Sequence, residues 1–175
     1  KEARTLYSSE AVDRAQIVQG ITVTHDYPNK LGAIPVPATY LLELANSLSE
    51  KSTGMSVRVY SDYPFPWRLK EGIPKDSFEK EALQYLKQYP AQTFARIEEF
   101  QGLPSLRYAE ADTLKPTCVG CHNTHPDSPK RDWKVGDVRG ILEIVTPLDS
   151  FIAQTHTGLR DSFVMLTILS ILALS

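Results

Sequence analysis

The sequence predicts an α+β domain, a small antiparallel sheet with flanking helices packed on one face and a C-terminal helix entering a membrane. Three patterns carry that expectation. Short stretches alternate apolar and polar residues with period two, as half-buried strands do. Others place apolar residues every three to four positions, the helical period. The final run, Phe163 to Ser175, holds no charged residue at all.

From Glu2 to about Leu31, the residues Ala11, Ala15, Ile17, Val18 and Ile21 recur at helical spacing, although Gly20 and the β-branched Ile21-Thr22-Val23-Thr24 weaken the second half. Pro35 and Pro37 suit the first turn of a helix from Ala38 to Leu48, with Leu41, Leu42, Leu44, Ala45 and Leu48 as its buried stripe. Met55 to Ser61 alternates as a strand. Two prolines make Tyr63-Pro64-Phe65-Pro66-Trp67-Arg68 an aromatic loop of the kind that walls an apolar cavity. Asp76 is a natural N-cap for a helix from Ser77 to Tyr89 that stops at Pro90. Thr93 to Phe100 and Ser105 to Asp112 read as a β-hairpin around Gln101-Gly102-Leu103-Pro104. Leu114 to Trp133 is dense in Pro, Cys, His and Asp, a loop with room for one helical turn. Asp137 to Thr146 is the last strand, Pro147 breaks it, and Asp149 caps a helix that runs into the terminal apolar segment. This order matches the arrangement of sensory PAS-like domains.

The chain has 175 residues, 42% hydrophobic and 23% charged, which suits one ordinary domain with its own core. Its 19 Lys+Arg against 21 Asp+Glu give a net charge of -2, and the sequence pI is near 6.1, so nucleic acid is excluded as a partner for want of a basic field. Only Cys118 and Cys121 occur, too few for a disulfide framework.

That pair carries the chemistry. Cys118-Val119-Gly120-Cys121-His122 matches C-x-x-C-H, the attachment signature of c-type haem. Two thiols on one turn reach both vinyl groups of a porphyrin, the adjacent imidazole comes beneath the iron, and Gly120 lets the backbone lie close to the macrocycle. Three other readings stand beside it. Zinc could draw on Cys118, Cys121, His122 and His125, although structural zinc sites usually join two separated ligand pairs. A redox dithiol would want a parallel βαβ context. The cysteines could also be a buried or disulfide-bonded pair. No nucleophile-base pair, phosphate-binding glycine loop or second metal motif is found, so the chain reads as a non-enzyme.

The opening Lys1-Glu2-Ala3-Arg4 lacks an initiator Met and an apolar run, so a removed signal peptide or a longer N-terminal part is expected. The terminal run is shorter than the roughly 20 residues of a membrane span and reads as the start of one, a packed core helix being the alternative. Residues 1–150 are then an extracytoplasmic haem-binding domain, and 151–175 the exit helix and start of a transmembrane segment. Covalent haem attachment takes place outside the bacterial cytoplasm, on the same side.

The segments THDYPNKLGAIPVPATYLLELA, VRVYSDYPFPWR and RYAEADTLKPTCVGCHNTHPDSPKRDWKVGDVRGILEIVTPL resemble the haem-binding, PAS-like DUF3365 family, also called the Tll0287-like domain. This family occurs at the extracytoplasmic N-terminus of bacterial membrane-bound adenylate or guanylate cyclases and related sensors. The resemblance covers about Ala11 to Leu148. It implies one covalent haem c per chain on Cys118 and Cys121, His122 as axial ligand, and a sensory role coupled through the terminal helix to an output domain. One member of the wider family uses a cysteine as second axial ligand. Without a third cysteine that ligation does not carry over.

The sixth iron position has five candidates, His25, His125, His156, Met55 and Met165. Met165 falls in the apolar run, His156 on the exit helix, and His125 close behind His122, while Met55 at a strand start reads as core. His25, on the segment expected to cover the sheet and next to Asp26 as an orienting carboxylate, is preferred. An open or water-filled site is the alternative. Tyr60, Tyr63, Phe65 and Trp67 could wall a porphyrin. Arg139 leads Lys130, Arg131, Lys134 and Arg58 as the partner for haem propionates. The expected function is an extracytoplasmic haem sensor of redox state or a diatomic gas, with a homodimer and a nucleotide cyclase output suiting that role. The alternative is a membrane-anchored c-type cytochrome serving a redox partner.

Overall fold

The computed structural model describes residues 12, 14–51, 55–149, 159 and 162–170. The helix expected from Glu2 is therefore seen only from Val12 onward, and Ala11 lies outside the described residues. Val12 and Ala15 are buried, and Arg14–Val18 forms a turn of π-helix. Past Val18 the helical expectation fails. Gly20 takes φ 65°, a left-handed conformation that ends the helix, and the β-branched residues after it go extended. Val23–Thr24 (β1) pairs in parallel with Ile34–Pro35 (β2), and a short 3-10 turn, Tyr27–Asn29, lies between them. Pro37–Lys51 is α1, with Pro37 at its first position and Leu41 and Ala45 buried; the side chain of Leu48 lies outside the description.

The sheet is four-stranded and antiparallel among the described residues, with order β3-β6-β5-β4. Its strands are Ser56–Tyr60 (β3), Thr93–Phe100 (β4), Leu103–Thr113 (β5) and Val138–Pro147 (β6). The hairpin turn is tighter than expected. Gln101 and Gly102 alone form it, both at positive φ (52° and 80°), as a primed two-residue turn requires, and Leu103 and Pro104 join β5. Pro147 does not break β6 but closes it, opposite Ser105.

Ser77–Gln88 (α2) starts where expected, the Asp76 carboxylate accepting the Glu79 N–H at 2.9 Å. It buries Phe78, Ala82, Leu83 and Leu86 against Tyr60, Ala109, Ala111 and Ile141 of the sheet. Period two sends Val57 and Val59 to the opposite face from Tyr60, and α1 packs against β3, Val59 and Leu42 lining one cavity. The helices thus flank both faces, not the single face expected. Hydrophobic strands covered twice cannot show clean alternation, and β3 is only partly exposed at every position but Tyr60.

Beneath α2 lies a buried charge network. Arg107 of β5, 2% exposed, donates to Glu143 at 2.7 Å, Asp76 at 2.8 Å and Glu98 at 2.9 Å, with Phe78 and Phe100 against its guanidinium. Arg58 of β3 donates to Glu79, itself 1% exposed. The helix cap and three strands are therefore joined through one cation.

Residues 162–170 are helical and exposed throughout. Among the described residues no helix is long and apolar enough to cross a membrane, so the expected membrane entry gains no support there. Residues 150–158, with His156, lie outside the description.

Three outcomes are expected. Arg107→Ala should destabilise the fold by about 3–5 kcal/mol, because Glu143 is left buried without its cation and Glu79 with Arg58 alone, as read by urea unfolding. The pH dependence follows from Asp76. Burial raises its pKa, but the bonds from Arg107 and the Glu79 N–H outweigh this and hold it below the usual carboxylate range. Its contribution is thus full above the unfolded value of about 3.9 and is lost as pH falls through the depressed folded value, and Arg107→Ala should flatten that acid limb. At Gly140 a Cβ would meet the Tyr60 carbonyl oxygen at 2.6 Å, so Gly140→Ala should force β3 and β6 apart and lower stability by about 1–3 kcal/mol in the same assay.

Candidate functional site

The segment from Leu114 to Trp133 holds more order than a loop with one turn. Pro116–Thr124 (α3) is a helix of nine residues, with Pro116 in its first turn. Its sequence is poor in helix formers, and its placement comes from outside. Asn123 brackets the Trp133 backbone, donating to its carbonyl at 2.9 Å and accepting its N–H at 3.0 Å. Positions 118, 121 and 122 stand at i, i+3 and i+4, one face of a helix, and all three side chains line one cavity of about 240 Å³. Both thiols are free; Cys118 is half-buried, and although Cys121 is exposed as a residue, the surrounding protein partly desolvates its sulfur, which with Cys118 beside it pushes the thiol up. Beside Gly120, the place a Cβ would occupy is open.

The cavity is bounded by α1, the turn carrying His25, the aromatic loop and the neighbouring ends of β3 and β6. Across it runs an aromatic stack. His25 lies flat on Trp67, with centroids 3.7 Å apart and 7° between planes; Trp67 stacks on Phe65 at 4.5 Å, and Phe65 meets His122 at 5.2 Å. His125 packs its ring against both Phe65 and Trp67. The described volume is below the 300–1,000 Å³ typical of cofactor pockets, so a porphyrin would need the stack to part or its own edge to stay at the mouth. The donor set still fits that group: two free thiols and an imidazole share one face, and aromatic rings form the wall.

Polar groups converge on His122. Arg139 donates through Nε to His122 Nδ1 at 3.2 Å and through Nη1 to Ser61 Oγ at 2.8 Å, while Ser61 Oγ donates to the Arg139 carbonyl at 2.6 Å. The guanidinium lies 5.6 Å from the rings of Phe65 and Trp133. Burial, then Arg139 and His125, hold the His122 imidazole down to about 4, so it is neutral near pH 7. Burial also lowers Arg139, opposed by the nearby Asp112 carboxylate.

The other expected residues sort clearly. His25 lines the cavity with His122, but Asp26 accepts from Asn29 at 2.7 Å and so its described bond does not orient His25. Arg58 turns away to Glu79, because its register opposite Glu143 puts it on the α2 face. Lys130 pairs with Asp132 over the Trp133 ring, Arg131 bonds the Pro126 carbonyl, and the Lys134 N–H bonds Asp137. Met165 is exposed, and His156 lies outside the description. Among the described residues no three His, Cys, Asp or Glu side chains converge as a metal site. Ser61 is an addition that sequence reasoning misses: its partner is 78 residues away, and no local pattern marks it.

Trp67→Ala removes both stacking contacts and should cost about 1–3 kcal/mol in thermal unfolding of the haem-free chain, a large effect for a side chain 37% exposed.

Among curated proteins none matches this chain. Its structure is similar to that of the cyanobacterial heme-protein Tll0287, with a TM-score of 0.52 and 17% sequence identity, over 83% of this chain and 93% of that one. The family model described as Tll0287-like matches residues 2–147, and the chain therefore belongs to the Tll0287-like family.

Proposed function

We propose that this chain binds one covalent haem c and serves as an extracytoplasmic sensor domain of a membrane-bound signalling protein, with a nucleotide cyclase as the expected output. The carrying observation is the single face of α3 on which Cys118, Cys121 and His122 line an aromatic-walled cavity. The structural likeness to the cyanobacterial heme-protein Tll0287 supports the cofactor. In this reading Cys118 and Cys121 would form the thioethers, His122 would hold the iron with His25 as the candidate for a further ligand, and Arg139 would face the carboxylates of the porphyrin. The bound iron would supply one-electron chemistry or a site for a diatomic gas. The protein is a binding domain, not an enzyme.

Residues 1–150 are assigned to the sensor unit and 151–175 to a segment leading towards the membrane, an assignment that rests on the uncharged run from Phe163 to Ser175 in the sequence. Sensing requires that two haem states interact differently with the fold. The stack of His25 on Trp67 offers such a difference, since His25 can either remain on Trp67 or leave it. A second reading, a membrane-anchored electron carrier, is favoured by one observation: His25 and His122 share the cavity, as a permanently six-coordinate iron needs.

Expressed with c-haem maturation, the chain should give a c-type absorption spectrum, and replacing both Cys118 and Cys121 with Ser should abolish the haem that survives a denaturing gel. If His25 ligates, carbon monoxide leaves the reduced wild-type spectrum unchanged but shifts that of His25→Ala. A shift already in the wild type means an open or displaceable sixth site and favours gas sensing. No haem band at all returns the site to a dithiol. In the full-length protein, an output indifferent to both reduction and carbon monoxide would sink the sensor and leave the carrier.

A further inference from the structure

The hydrogen bond from Arg139 to His122 fixes more than an orientation. Arg139 can only donate, so the Nδ1 that meets it at 3.2 Å must offer a lone pair, and the proton of the neutral ring must sit on Nε2. A neutral imidazole that binds a metal through Nε2 is the opposite tautomer. Its Nε2 lone pair faces the metal, and Nδ1 carries the proton. The two states exclude each other. If Nδ1 is protonated, Arg139 Nε–H and His122 Nδ1–H are two donors pointed at one another.

We propose that Arg139 is a loading latch, holding His122 in the non-ligating tautomer while the site is empty and turning from His122 to a carboxylate of the incoming porphyrin when it fills. This rests on the reading of Cys118, Cys121 and His122 as a haem site. The exchange balances: Nε2 would release its proton to solvent and Nδ1 would take one up from solvent, so the ring stays neutral with the Nε2 lone pair free to hold the iron. The guanidinium is placed for the second half of the move. Its Nη1 remains on Ser61 Oγ and its guanidinium 5.6 Å from the rings of Phe65 and Trp133, and only Nε loses its acceptor. Arg139 lines the same cavity, so a bidentate carboxylate can take the freed fork without the side chain leaving.

The test is nitrogen NMR on protein labelled at histidine and arginine, without haem and then with haem attached, reduced and saturated with carbon monoxide. In the haem-free chain His122 should appear as the Nε2–H tautomer. Arg139→Met should shift it to a mixture of tautomers, while Arg139→Lys, which keeps a charged donor, should preserve it. On attachment the Arg139 Nε–H signal should move, and the His122 proton should transfer to Nδ1. Two results overturn the latch: an Nδ1–H tautomer in the haem-free wild type, or an Arg139 signal indifferent to attachment. The wild-type comparison needs no variant, so the latch stands or falls on it even where Arg139→Met folds poorly. Failure of the haem reading itself looks different. The wild type would then show no c-type band, which removes the release step, while the haem-free tautomer is still read on its own.

Discussion

The guanidinium of Arg107 holds this fold in register. It sits at the centre of β5, takes Glu143 from β6 and Glu98 from β4, and reaches the carboxylate of Asp76 that also caps α2. Such an arrangement stabilises by mutual dependence more than by net attraction, because ions so deeply buried are costly unless each is paired. Glu143 shows the balance. Burial drives its pKa up, against the pull of Arg107, and the carboxylate also faces the buried Tyr60 hydroxyl, which burial and Glu143 together push up. Slipping any of these strands by one residue would turn its charge to the other face and strand the rest.

The opposite face of the sheet is organised by different physics. There aromatic and aliphatic side chains wall a cavity that holds His25, His122 and His125, and Arg139, itself held by Ser61, meets His122. His122 is kept neutral by burial and by the cation beside it, a condition that suits a metal ligand, since a protonated ring has no lone pair to give. The sheet thus separates an ionic layer that fixes geometry from an apolar layer that can receive a cofactor.

Much of this is legible in the residues and some is not, for identifiable reasons. The Asp76 cap, the hairpin of β4 and β5 and the Cys118, Cys121, His122 face depend on spacings of a few residues, and local patterns report those well. The pairing of β1 with β2 leaves no such trace, because two-residue strands have no periodicity to read. The helix α3 is longer than its sequence suggests because its own residues are weak helix formers and its bracket, Asn123 to Trp133, is tertiary. Arg58 faces α2 and not the cavity because its face is decided by register, and register belongs to the partner strand. Ser61 gives no signal at all, since its role exists only where β3 ends beside Arg139.

The course of β6 has a mechanical meaning. Arg139 stands near its start, in the cavity, and Pro147 ends it, at roughly 26 Å by the usual rise of about 3.3 Å per residue. Between them the strand is hydrogen-bonded on both sides, to β3 and β5, and pinned at Glu143. A strand so held is a stiff rod and resists bending and rotation about its own axis. A displacement at the cavity end of β6 would therefore reach Pro147 as a small slide along the strand or as a tilt of the whole sheet, a push-rod linkage in contrast to a turning screw.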